Sequence, residues 1–175
     1  EIFVVPKSST KTSISFDEIS NELLSDNKNI IFDGTNSSNL NFVAQKFNKK
    51  PSDLKFSIIS GTTNLVNQLE KYPEKIGVIS LNTISRPYGR DAENLRSLIK
   101  ILPVIKSGKS YDPSLGNIKN MEYPFTRILY FLTNEPYYGL GNGFIRFSCT
   151  QLGQIVVDKE GLQPYNTYKR EVQMH

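Results

Sequence analysis

Cysteine, tryptophan and histidine are nearly absent from this 175-residue chain, which carries one Cys, no Trp and one His. A lone Cys149 rules out an intrachain disulfide and leaves a cysteine-based zinc site without its ligands. One cysteine neither supports nor excludes export. It stands in an apolar helical stretch and reads as a buried hydrophobe, not a nucleophile. The single histidine is the last residue, His175, so no Ser–His or Cys–His pair can be assembled convincingly around it. Walker A and Rossmann glycine patterns are missing as well. Gly139-Leu-Gly-Asn-Gly143 lacks both the Lys-Ser/Thr pair and the strand-to-helix setting. Acidic residues do not gather at metal-ligand spacing. No enzyme, metal or cofactor is therefore expected.

Long apolar runs are also missing, and none approaches the roughly 20 residues that cross a bilayer. No signal peptide is present, yet the chain opens on Glu1 with no initiating Met. The true N-terminus is therefore expected upstream, and cytoplasmic residence does not follow from the missing signal. Runs of one charge are absent. The 21 basic residues are scattered, with pairs only at Lys49-Lys50 and Lys169-Arg170, and the net charge of +4 and pI near 9.1 are mild. A nucleic-acid binder concentrates its charge on one face or helix, so no nucleic-acid partner is expected.

What is present suits a packed globular fold: 38% hydrophobic residues, 22% charged, with 10 Phe and 9 Tyr as core material. Ile2–Val5 reads as a buried strand closed by Pro6. Ser15 and Glu18 form a capping-box pair ahead of Phe16, Ile19, Leu23 and Leu24 at helical spacing. Ile30–Phe32 is a second strand, running into the turn-formers Asp33–Asn39 before a helix marked by Leu40, Val43, Ala44 and Phe47. Phe56–Ile59 is a strand, and Thr62 or Thr63 caps a helix to Tyr72. Ile76–Ser80 is nearly continuous in apolar character, as in a sheet covered on both faces. Residues 81–97 read as polar loop with at most a turn of helix, Leu98–Ile105 as one strand despite Pro103, and Lys106–Tyr123 as a long surface loop. Thr126–Thr133 has the strongest strand pattern in the chain. Helices follow from Leu140 and from Thr150 to Gly161, and Tyr165–Met174 reads as a final strand. Strands alternating with helices predict an α/β fold with a mixed, mostly parallel sheet flanked by helices.

Three segments, in this order, resemble the phosphate-binding proteins of ABC transporters, a branch of the type II periplasmic solute-binding fold. They are Phe32–Asn39 between strand and helix, Asn67–Ile79 with its Pro-x-x-Ile-Gly turn, and Tyr123–Phe131 followed by Gly143–Phe147, Gly153-Gln154 and Gly161–Pro164. The likeness is to the C-terminal portion of the family pattern, in its Bacteroidetes lipoprotein-like branch. The resemblance implies a hinge-side strand and linker over 1–11, the second lobe over 12–122, and a return segment of the first lobe over 123–175. It implies the solute-binding component of an ABC importer, with phosphate or a related oxyanion as ligand and an ABC permease as partner. The expected location is the periplasm or cell envelope, with a lipid anchor on the full-length precursor. The return segment would lack its sheet partners, so a dimer or strand exchange is expected.

The implied site is the loop after the second strand, where Asn36, Ser37, Ser38 and Asn39 would offer N–H groups and hydroxyls at a helix start. The same residues are what a plain helix N-cap requires, and both readings stand. Where the family places an Arg four residues before its Ser, this sequence has Asp33. A carboxylate there would repel a dianion by roughly 4 kcal/mol at 4 Å. That departure leaves open a neutral solute, a cation-bearing one, or a scaffolding module that keeps the fold without transport. Asp33 also reads as a cap on the turn through Gly34. Thr62, Thr63, Arg86, Arg90, Tyr137 and Tyr138 could face a ligand but read first as capping, solvated or packing residues.

Overall fold

The computed structural model describes residues 1–35 and 38–165. In chain order the elements are β1 (Ile2–Pro6), β2 (Ile14–Ser15), α1 (Phe16–Leu24), β3 (Ile30–Asp33), α2 (Ser38–Lys46), a 3-10 turn at Pro51–Asp53, β4 (Ser57–Ile59), α3 (Thr62–Lys71), β5 (Ile76–Ile79), α4 (Asn82–Ser85), α5 (Arg90–Leu98), β6 (Ile99–Leu102), β7 (Val104–Lys106), β8 (Lys109–Tyr111), α6 (Leu115–Lys119), α7 (Leu140–Ser148) and α8 (Gln151–Lys159).

Five strands form the main sheet in the order β4-β3-β5-β1-β6. β3 runs parallel to both β4 and β5, whereas β1 runs antiparallel to both β5 and β6, so the sheet is mixed. Every residue of β1, β3 and β5 is buried, which explains why these strands read as unbroken apolar runs. Successive side chains of β1 point to opposite faces. On one face Val4 meets α3, and there Gly77 leaves no room for a larger residue. A Cβ on Gly77 would lie 2.6 Å from Leu65, 2.9 Å from Leu69 and 3.0 Å from Val4. On the other face Phe3 stacks edge-on to Phe125 at 4.9 Å, and Phe16 lies 4.5 Å from Phe47 and 5.7 Å from Phe125. Helices thus cover both faces, and the chain after α6 supplies Tyr123 and Phe125 to the core. A smaller sheet, β2-β7-β8, extends one end.

Several expectations need correction. Residues 81–97 hold α4 and α5, not loop: α5 turns only Ala92 and Leu95 inward, too little apolar character to show in a polar sequence. Leu98–Ile105 is two strands, because Pro103 interrupts the ladder between β6 and β7, which join different sheets. Lys106–Tyr123 holds β8 and α6, the latter capped by Ser114. Thr126–Thr133 forms neither strand nor helix: it pairs with no described strand, and Ile128 to Leu132 are exposed. Cys149 is exposed at the end of α7, whose apolar face is itself uncovered. The proposed final strand lies, beyond Tyr165, outside the described residues, as does His175.

Candidate functional site

The three parallel strands β4, β3 and β5 all end on one edge of the sheet, and the chain leaves each of them into a helix. Small polar residues occupy those exits: Asp33-Gly34-Thr35 after β3, Ser60-Gly61-Thr62 after β4, and Ser80 ahead of Asn82-Thr83 after β5. Together they line a cleft of about 270 Å³ formed by Asp33, Thr35, Asn39, Thr62, Ser80, Asn82 and Thr83. Backbone approaches backbone closely here. Gly34 donates its N–H to the carbonyl of Ile59 at 2.9 Å, and a Cβ on it would lie 2.5 Å from the Ile58 side chain.

Asp33 organises the floor. It is 6% exposed, and its Oδ1 accepts from the Thr35 N–H at 2.9 Å and the Thr35 hydroxyl at 2.5 Å. Its Oδ2 accepts from the Thr62 hydroxyl, and Thr35 Oγ1 in turn accepts from the Gly61 N–H at 3.2 Å. Burial pushes the Asp33 carboxyl up, but the Thr35 and Thr62 hydroxyls with the N–H groups of Thr35 and Gly61 outweigh it and hold it below 3.8. Asp33 is thus an ionised brace that ties the β3 and β4 exits together, extending the turn-cap reading across two loops. Thr62 is the first residue of α3 and not its N-cap; that position belongs to Gly61, whose φ is +92°.

Behind Asn39, which lines the cleft, stands a cation missed in the sequence. Arg127, between α6 and α7, donates to Ser38 Oγ at 3.0 Å and to Asn39 Oδ1 at 3.4 Å, in the first turn of α2. It pairs with Glu1 Oε1 at 3.1 Å and lies 5.5 Å over the Phe42 ring. Asn39, 2% exposed, passes the network on by donating to Ser80 Oγ at 3.2 Å, and Ser80 donates to Glu1 Oε2 at 3.1 Å. Of the four expected ligand residues, Ser38 and Asn39 therefore share one network with Arg127, and Asn39 reaches the cleft. Asn36 and Ser37 lie outside the described residues. Arg127 carried no local signal, since it is 89 positions from Ser38 and sits in a strand-like run. Ser80 was legible as the residue that leaves β5 on the same edge as Asp33.

The remaining candidates divide. Thr63 and Arg86 line a second chamber that opens from the first, and Arg86 pairs with Glu160 at 3.4 Å. Tyr137 and Tyr138 line neither chamber; Tyr138 lies under Arg146 of α7 at 5.5 Å. No group of metal-ligating side chains occurs among the described residues.

A polar cleft at the carboxyl ends of parallel strands, backed by helix starts, defines the class: an open α/β sheet with a crevice where such folds hold ligands. The model of the PBP superfamily domain matches residues 4–151, and the chain belongs to that superfamily, the periplasmic binding protein-like fold suggested by its motifs. Among solved structures the chain is similar to PstS from Borrelia burgdorferi, at 21% identity and a TM-score of 0.64 over 93% of this chain and 68% of that one. It is similar to an ABC-type phosphate transport receptor from Vibrio cholerae, at 10% identity and 0.63 over 91% and 67%. A protein from Clostridium perfringens solved with bound phosphate gives 17% and 0.64 over 93% and 67%. The chain thus spans about two thirds of each. No curated protein matches the sequence.

Proposed function

We propose that this chain is the greater part of the solute-binding component of an ABC importer, with phosphate or a related oxyanion as its solute. The observation that carries this reading is Arg127. Its guanidinium hydrogen-bonds to Ser38 and Asn39 in the first turn of α2, so a fixed cation stands where the helix dipole is also positive. The family's cation four residues before the Ser is missing from the local sequence, and Arg127 supplies one from a distant segment. In this reading Asn36, Ser37, Ser38 and Asn39 form the ligand loop, residues 12–122 the second lobe, and 123–175 a return to the first. The closed, ligand-bound form docks on an ABC permease. The protein works in the periplasm or cell envelope, with a lipid anchor on its precursor. The names of the solved relatives, two of which refer to phosphate transport or bound phosphate, agree with an oxyanion.

One observation favours a second reading, a surface scaffolding module without transport: Glu1, with its side chain only 2% exposed, already neutralises Arg127. Thermal melting of the full-length protein separates the two. A ligand at 100 times its Kd stabilises by about 2.7 kcal/mol, so millimolar phosphate or another oxyanion should raise Tm by several degrees. Arg127→Gln should weaken that ligand by roughly tenfold or more, the value of a charge-assisted hydrogen bond. A Tm unmoved by any oxyanion would leave the scaffold.

A further inference from the structure

We propose that the solute taken in preference to a bare inorganic oxyanion is an oxyanion ester of a polyhydroxyl body, such as a sugar phosphate or polyol phosphate. This rests on the reading of the cleft as the ligand site and names the ligand's class.

Hydrogen-bond polarity is the first ground. A hydroxyl has one proton. Those of Thr35 and Thr62 are directed at Asp33, so these oxygens face the cleft with lone pairs only. The Asp33 side of the floor is therefore a carboxylate dressed with acceptors, of which Thr35 Oγ1 also takes the Gly61 N–H. An oxyanion seated there would meet acceptors and a like charge, whereas ligand hydroxyls would find partners for their protons. The nearest cation lies to one side, at the start of α2, where Arg127 hydrogen-bonds to Asn39, a residue that lines the cleft. A ligand that satisfies both ends carries its charge beside Arg127 and its hydroxyls across Thr35 and Thr62.

Size is the second ground, independent of the first. The cleft continues into a chamber of about 560 Å³ that shares Thr35, Thr62, Asn82 and Thr83 with it. Binding cavities for organic molecules typically span roughly 300–1,000 Å³, far more than one tetrahedral ion occupies. The added wall mixes Thr63 and Asn64 with the apolar Ala92 and Leu95. Such a wall suits a sugar or polyol, which presents hydroxyls on its rim and C–H groups on its faces. Asp91 also lines this chamber, and Arg86 there is paired with Glu160, so the far end does not favour a second anionic group. The charge therefore belongs at the Arg127 end.

Calorimetric titration of the full-length protein with inorganic phosphate, glycerol 3-phosphate, glucose 6-phosphate and glucose tests this directly. At least one ester should bind tenfold or more tighter than both inorganic phosphate and glucose. Thr63→Trp, at an exposed position lining the second chamber, should bring the ester-to-phosphate ratio close to one, with folding checked by circular dichroism. Inorganic phosphate binding as tightly as every ester would overturn the inference while leaving the cleft as the ligand site. Glucose binding as tightly as its phosphate would overturn it through the charge. Binding of none of the four would remove the reading of the cleft along with it.

Discussion

Asp33 changes meaning between sequence and structure. In the sequence it stands where a cation is usual and reads as a source of repulsion; in the fold its two oxygens accept from Thr35 and Thr62 and join two loops. Removing the charge leaves a buried network with fewer acceptors. Asp33→Asn should cost about 1–3 kcal/mol in urea unfolding. The pH dependence has a definite sign. The folded state holds this carboxyl below its ordinary 3.8, so the stability it contributes is present above that value and lost as pH falls through the lower folded one. Unfolding free energy measured between pH 5 and pH 2 should decline, and the decline should be shallower in Asp33→Asn. An equally steep decline in the variant would show that Asp33 is not held ionised by these contacts.

Elements with a strong local reason to form were legible in the sequence. The capping box of α1 is realised in both directions, Glu18 N–H to Ser15 Oγ at 3.0 Å and Ser15 N–H to Glu18 Oε2 at 3.4 Å. β3 and β5 were legible because burial on both faces leaves an unbroken apolar run. Missed elements fail in the opposite way. α5 has two buried residues in nine and no apolar stripe to see, while Thr126–Thr133 has the pattern of a strand and no described strand to pair with. Half of the candidate site was legible for the same reason. Ser38 and Asn39 follow a strand in a recognisable motif, but Arg127 is brought there only by the return of the chain over the Phe3–Phe125 contact. Packing between elements offers its own test at Gly77, where α3 lies against the sheet. Gly77→Ala must displace Leu65, Leu69 and Val4 together and should cost about 1–3 kcal/mol as overpacking, read from the urea midpoint.

The core is continuous from β1 to Phe125, and beyond it the character of the surface changes. Leu129, Tyr130, Phe131 and Leu132 are exposed in succession, Leu132 to 91%, and Leu140, Phe144, Phe147, Leu152 and Val156 add the apolar faces of α7 and α8. Residues of both parities in succession are uncovered, and their sequence has the pattern of a strand meant for the interior of a sheet. Soluble proteins rarely leave so much contiguous apolar surface to water. Another polypeptide is the natural cover, and in a solution of this 175-residue chain a second copy is the one at hand, through an isologous contact or exchanged strands. Light scattering should therefore give at least twice the 19.9 kDa of one chain at micromolar concentration. Leu129→Lys combined with Phe144→Lys should shift it toward one chain, since neither side chain belongs to the buried core and each charge would be desolvated in the contact. A monomer that binds no apolar dye would mean that residues 126–159 fold back onto the lobe in solution, and the strand-like run would then need a partner within the chain.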